Sequence, residues 1–90
     1  MHFEMFNNHI QLRRDDKVLA EISFPEVKPG VVDINHTFVD ESLRGKGVAG
    51  EMMLMVANEL TNSNRKAICS CSFAIKWFGS HPEFKALLLD

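Results

Sequence analysis

The chain has 90 residues, which is room for one hydrophobic core and predicts a single domain over residues 1–90. Its hydrophobic share is 46%, its charged share 24% and its net charge −2, so it lacks the basic excess of a nucleic-acid-binding surface. No apolar stretch is long enough to span a membrane, and the first four residues lack a secretory start. We therefore expect a cytoplasmic protein that binds neither membrane nor nucleic acid.

The first half of the chain predicts β-strands. Apolar and polar residues alternate over residues 7–14 and again over residues 18–24, and Asp15 and Asp16 between them form a turn signal. This pattern is typical of an antiparallel hairpin. Residues 25–30 end in Pro-Gly and predict a second turn. Residues 31–39 are apolar at both parities and predict one central strand.

The second half predicts a helix, a strand and a shorter helix. Over residues 47–60 the period becomes helical, with one apolar face made of Ala49, Met52, Met53, Val56 and Leu60. Residues 66–73 predict a strand, residues 74–79 a short helix and residues 81–83 a turn. The apolar tail, residues 84–89, should be docked, either on the chain itself or on a partner. The strand–helix–strand unit over residues 31–73 should be a parallel, right-handed crossover.

A glycine-rich loop precedes the long helix. Glycines let the backbone approach a ligand closely, and the free N–H groups of a helix N-terminus favour an anion. Arg44 and Lys46 add positive charge beside Gly45 and Gly47. The loop therefore predicts a pyrophosphate-binding site, although a tight strand-to-helix turn without a ligand has the same glycine pattern.

Three known motifs compete for this loop. A P-loop is excluded, because Asp40 stands where its first glycine should be and Gly47 where its Ser or Thr should be. The dinucleotide fingerprint is matched by the glycines at 45, 47 and 50, but the predicted strand ends about five residues too early and residues 66–73 contain no acid for a ribose. The third motif, Arg/Gln-x-x-Gly-x-Gly/Ala, is matched by Arg44, Gly47 and Ala49.

With this third motif the chain resembles the GNAT superfamily of N-acetyltransferases. The segments His-Thr-Phe-Val at residues 36–39, Cys-Ser-Phe at 71–73 and His-Pro-Glu-Phe at 81–84 extend the resemblance to a small GNAT-like family. It implies an α+β (α/β-like), reduced GNAT fold: a mixed sheet with an N-terminal antiparallel hairpin, one parallel crossover and a short C-terminal helix. It also implies that acetyl-CoA binds at Phe38, Val39, Arg44, Gly45, Lys46, Gly47, Val48, Ala49 and Gly50.

The resemblance leaves the catalytic groups open. Larger members often use a tyrosine as general acid, and this sequence contains no tyrosine. Cys71 matches the small family's cysteine; it could protonate the departing thiolate, accept the acyl group or form a mixed disulfide, or simply be buried beside Cys69. His36 is a candidate base, with a backbone hydrogen bond as the alternative role. A zinc site including His81 is not predicted, because Cys-x-Cys lacks the usual spacing.

Two functions follow from this reading. The first is an acetyl-CoA-dependent N-acetyltransferase with an unknown amine acceptor, which could be a peptide or protein. The alternative is a non-catalytic module that holds acyl-CoA or CoA, which the missing tyrosine favours. The apolar residues 86–89 make a homodimer plausible.

Overall fold

A computed structural model of the protein describes residues 2–89. Its elements in chain order are β1 (His2–Phe6), β2 (His9–Arg14), β3 (Lys17–Ser23), β4 (Glu26–Lys28), β5 (Val31–Ile34), β6 (His36–Val39), a 3₁₀ turn (Glu41–Leu43), α1 (Val48–Ser63), β7 (Lys66–Cys69), α2 (Ser72–Gly79) and a second 3₁₀ helix (Pro82–Leu87). Within this part of the chain, no helix has the length and apolar character needed to cross a membrane.

The first sheet has the order β1-β2-β3-β6, with every neighbouring pair antiparallel. The predicted hairpin is confirmed as β2 and β3, in which Ile10 pairs with Ile22 and both side chains are buried. Strand β1 was not predicted from the sequence. Its alternation is limited to Phe3 and Met5, because Phe6 is also apolar, and its residues are exposed or half-buried, so the local signal for a strand is weak.

The second sheet has the order β4-β5-β7. Strands β5 and β7 are parallel, with Val32 opposite Ala67, as predicted for the crossover through α1. The interpretation of residues 25–30 as a turn is wrong for Glu26–Lys28, which pairs with β5 as an exposed strand. The turn itself is at Gly30, whose φ is +77°.

The predicted central strand over residues 31–39 divides at Asn35. Strand β5 belongs to the second sheet, whereas β6 pairs with β3 at the end of the first. The N–H of Asn35 donates to the carbonyl oxygen of Ser23 (3.2 Å), and the Ser23 hydroxyl donates to Asn35 Oδ1 (2.7 Å). These bonds hold the chain to β3, so the prediction of one strand is wrong. Within residues 2–89, the edge of β6 away from β3 has no paired strand.

The predicted strand over residues 66–73 is also too long. The N–H groups of Ser70 and Cys71 both donate to the carbonyl oxygen of Ile34, each at 3.1 Å. This double contact ends the ladder, and α2 begins at Ser72, two residues earlier than predicted. Cys71 therefore precedes a helix and does not continue a strand face with Cys69.

The core lies between α1 and the two sheets. Of the predicted apolar face of α1, Met52, Met53, Val56 and Leu60 are fully buried, and Ala49 is half-buried. Burial of such side chains stabilises the fold by about 1.5–3 kcal/mol each. The tail is docked on the chain itself, because the N–H of Leu89 donates to the carbonyl oxygen of Ala67 (2.9 Å). The predicted turn at residues 81–83 is the start of the 3₁₀ helix.

Candidate functional site

The loop between β6 and α1 is shaped by two residues in the left-handed region. Gly45 has a φ of +80° and Gly47 a φ of +75°, a conformation that L side chains adopt at a cost of about 1–2 kcal/mol. The loop is anchored by Leu43, which is 7% exposed, and by a hydrogen bond from the N–H of Lys46 to the carbonyl oxygen of Leu43 (3.3 Å). The loop is therefore held in this conformation by contacts within the chain.

Helix α1 begins without a side-chain cap. Its N-cap residue is Gly47, which has no side chain to accept a hydrogen bond from the first turn. The first helical hydrogen bond runs from the N–H of Glu51 to the carbonyl oxygen of Gly47 (3.0 Å). The N–H groups of Val48, Ala49 and Gly50 come before this bond and have no acceptor within the helix. Together with the helix dipole they form a site suited to a phosphate or pyrophosphate.

A groove of about 610 Å³ lies directly in front of this helix N-terminus. Its volume is in the range of small-molecule and cofactor sites. The residues that line it are Val39, Leu43, Arg44, Gly45, Gly47, Val48, Ala49, Gly50, Leu54, Phe73, Trp77, His81 and Glu83. Most residues predicted to bind the cofactor thus lie together, whereas the side chains of Phe38 and Lys46 lie outside the groove.

Part of the groove wall is formed by Trp77 and His81, an aromatic stack that the sequence did not indicate as part of the site. The ring of His81 stacks on Trp77 with centroids 3.9 Å apart, and Phe84 lies on Trp77 at 5.7 Å. His81 Nδ1 is 2.7 Å from the carbonyl oxygen of Trp77, which fixes the imidazole. Trp77 is only 6% exposed, so the stack rests on a buried indole. The spacing of Trp77 and His81, four residues apart across the end of α2, was the available signal.

Cys71 lies at the N-cap of α2 and touches β6. Its Sγ is 3.4 Å from Thr37 Oγ1. Burial alone would raise the pKa of Cys71. Hydrogen bonds with the Thr37 side chain and with backbone groups of Ala74, Phe73 and Thr37 together outweigh burial, so the pKa is below its usual value. A thiol of this kind gives up its proton more readily than an ordinary cysteine and is a better candidate for proton transfer or nucleophilic attack.

Cys69 differs from Cys71 although it is only two residues away. Burial, the negative charge of Asp33 and the neighbouring Cys71 raise its pKa to about 11. At neutral pH Cys69 is therefore a protonated, unreactive thiol. The two cysteines, which the sequence placed on one strand face, have opposite chemical character because only Cys71 lies at a helix N-terminus beside a hydroxyl group.

His36 lies on the other face of β6. Successive strand residues alternate between faces, so Thr37 and Val39 are on the groove side, and His36 and Phe38 are on the opposite side. His36 Nε2 is 3.3 Å from Glu21 Oε2, so its hydrogen-bonding partner is a carboxylate and not a backbone group. The two candidate catalytic residues, His36 and Cys71, are thus on opposite sides of one strand. Residues 2–89 contain no cluster of three or more metal-ligating side chains.

Comparison with known proteins places this geometry in a family. A family model described as GCN5-related N-acetyl-transferase matches residues 7–87. The solution structure of a GCN5-like protein from Staphylococcus aureus has a TM-score of 0.82 and 27% identity, covering 98% of this chain and 87% of that one. The expected α+β, GNAT-like fold is therefore confirmed. Comparison with curated proteins gives no match.

Two more distant structures share the fold. Tetrahymena GCN5 has a TM-score of 0.62 at 20% identity, with 83% of this chain and 51% of that chain covered. A ribosomal-protein-alanine N-acetyltransferase from Brucella melitensis has a TM-score of 0.58 at 15% identity, with 91% and 62% covered. The chain thus spans only about half to two thirds of these larger proteins.

Proposed function

This chain belongs to the GCN5-related N-acetyltransferase family, and we propose that it binds acetyl-CoA and transfers the acetyl group to an amine. The observation that carries the proposal is the uncapped N-terminus of α1, with Gly45 and Gly47 in the left-handed region, opening onto a groove of about 610 Å³. An anionic cofactor with a long, flexible arm fits both parts of this site.

Different groove residues would bind different parts of acetyl-CoA. The N–H groups of Val48, Ala49 and Gly50 would bind the pyrophosphate, and the Arg44 guanidinium would add charge at the rim. The unpaired edge of β6, near Phe38 and Val39, would offer backbone hydrogen bonds to the amides of the pantetheine arm. Phe38 then contributes through its backbone, which agrees with its side chain lying outside the groove.

The proposed reaction is direct attack. The amine nitrogen forms a bond to the thioester carbonyl carbon, the carbon–sulfur bond breaks, and CoA leaves as a thiolate. His36 takes the proton that the amine loses, and Cys71 supplies a proton to the leaving thiolate. Their positions on opposite faces of β6, beside its open edge, suit this division, since the amine and the thioester would approach from different sides.

A second candidate function is a module that holds acyl-CoA without transferring it. The observation that favours it is the absence of tyrosine from the sequence, because a tyrosine often protonates the leaving thiolate in larger members. The lowered pKa of Cys71 favours the enzyme, since this thiol can take the place of the missing phenol.

The test is acetyl transfer from acetyl-CoA to a panel of small primary amines and lysine-containing peptides, followed by mass spectrometry. We expect acetylated product in the wild type and a decrease in kcat of about 100-fold in Cys71→Ala, the lower end of what general acid catalysis contributes. Cys69→Ala is the matched control and should retain wild-type activity. Saturable acetyl-CoA binding without transfer to any acceptor would favour the binding module.

A further inference from the structure

The face of the first sheet that is turned away from α1 carries hydrogen bonds centred on Glu21. Glu21 Oε1 is 3.1 Å from His9 Nε2 and accepts from Gln11 Nε2 at 3.4 Å. Glu21 Oε2 is 3.3 Å from His36 Nε2. The Arg13 guanidinium donates to Gln11 Oε1 at 3.5 Å. This contact orients the Gln11 amide so that its nitrogen faces the Glu21 carboxylate. Strands β2, β3 and β6 all contribute to this cluster.

Glu21 is an ionised acceptor in this cluster. Burial alone would raise its pKa. Hydrogen bonds with His9, Gln11 and His36 and the charge of His9 together outweigh burial, so the pKa of Glu21 is below its usual value. Its side chain is 27% exposed, compared with 53% for His36. Because both carboxylate oxygens already accept hydrogen bonds, Glu21 is a poor candidate to take a proton from a substrate. The more exposed His36 is the better candidate.

We infer that Glu21 is a positioning residue for His36: it holds His36 with the proton on Nε2, so that Nδ1 is the free base for a primary alkyl amine arriving on this face. The inference rests on the proposed acetyl transfer. An ionised carboxylate can only accept hydrogen bonds, so the histidine nitrogen beside it carries the proton. In a neutral imidazole the other nitrogen then has the lone pair.

The surroundings of the cluster indicate the class of acceptor. Phe38 is directly opposite Glu21 in the sheet register and is 39% exposed, and Phe6 is opposite His9 and 50% exposed. Aromatic faces beside a carboxylate suit an alkyl chain that ends in an ammonium group. This face therefore fits a primary alkyl amine, such as a lysine side chain, better than an acidic or strongly polar acceptor.

Other titratable or charged groups on the same face set the conditions of the test. Strand β1 contributes His2 and Glu4, whose side chains are 4.0 Å apart, with Glu4 opposite Gln11. Strand β2 contributes His9 and Arg13, and β3 contributes Glu21 itself. Because His9 shares the carboxylate with His36, measurements that follow the two histidines separately are required.

The tautomer of His36 can be read from long-range ¹H–¹⁵N correlation spectra of the imidazole rings of the uniformly ¹⁵N-labelled protein at pH 8. We expect the wild type to carry the neutral proton on Nε2 alone and Glu21→Ala to show the mixture of both tautomers that is typical of a free neutral imidazole. Glu4→Gln, a second carboxylate on the same face, is the control and should leave the His36 tautomer unchanged. A proton on Nδ1 in the wild type would overturn the inference.

Kinetics separate a positioning role from a structural one. Glu21→Gln should lower kcat about 10- to 100-fold while acetyl-CoA binds with unchanged affinity, and it should have no further effect when His36 is already replaced by Gln. Independent, additive effects of the two substitutions, or a loss of acetyl-CoA binding in Glu21→Gln, would overturn it. If the wild type binds acetyl-CoA but acetylates no amine, the proposed enzyme fails, and the tautomer of His36 alone decides whether Glu21 positions it.

Discussion

Gly47→Glu is expected to weaken acetyl-CoA binding by about 100-fold, measured by isothermal titration calorimetry. The new carboxylate would stand at the N-terminus of α1, where the free N–H groups and the helix dipole would otherwise meet the pyrophosphate. A 100-fold change corresponds to about 2.8 kcal/mol, which combines the lost anion site with repulsion between like charges. Nothing lies within 4 Å of a Cβ added at Gly47, so the first atom of the new side chain meets no other part of the protein.

Gly30→Glu is the matched control for this prediction. Gly30 has a φ of +77° and Gly47 one of +75°, and neither has an atom within 4 Å of an added Cβ. Both variants should therefore lose a similar amount of stability, about 1–2 kcal/mol, but Gly30 is in the turn before β5, outside the groove. Equal weakening of acetyl-CoA binding in the two variants would show that strain, and not the lost anion site, is responsible.

Iodoacetamide is expected to alkylate Cys71 about 100-fold faster than Cys69 at pH 8. The thiolate is the reactive form, and with a pKa of about 11 Cys69 is ionised to roughly 0.1% at this pH. Hydrogen bonds lower the pKa of Cys71 below its usual value, so a much larger fraction of it is ionised. Both cysteines lie between Lys66 and Lys76, so fragmentation of one tryptic peptide measures both rates.

Thr37→Val is the control for the reactivity of Cys71. Valine keeps the shape of threonine but removes the hydroxyl group 3.4 Å from Cys71 Sγ. The variant should slow the alkylation of Cys71 and leave that of Cys69 unchanged. Equal rates at the two cysteines in the wild type would contradict the assignment of Cys71 as the active thiol.

The sequence predicted the elements whose burial follows a simple period. The 3.6-residue spacing of Met52, Val56 and Leu60 is the buried face of α1, and the alternation around Ile10 and Ile22 is the core side of the hairpin. The conformation of the loop before α1 could also be anticipated, because the need for left-handed backbone and free N–H groups is local and leaves a glycine pattern.

The remaining features depend on contacts between distant parts of the chain. Residues 31–39 are apolar at both parities without an internal break signal, and the bonds between Asn35 and Ser23 mark where the strand changes sheet. Strand β7 likewise ends where Ser70 and Cys71 donate to the carbonyl oxygen of Ile34, which is 36 or more residues earlier in the chain. The partnership of Glu21 and His36, 15 residues apart, requires the register of β3 and β6, which no local pattern specifies.

The central claim is that the N-terminus of α1 and the neighbouring strand β6 hold acetyl-CoA. Backbone ¹H–¹⁵N spectra recorded during a titration with acetyl-CoA, with NAD as comparator, test it most directly. We predict saturable shifts at the amides of residues 44–50 and of His36–Val39, with acetyl-CoA and not with NAD. No saturable shift at millimolar acetyl-CoA, or shifts confined to residues outside the groove, would contradict the account and leave the loop as a turn alone.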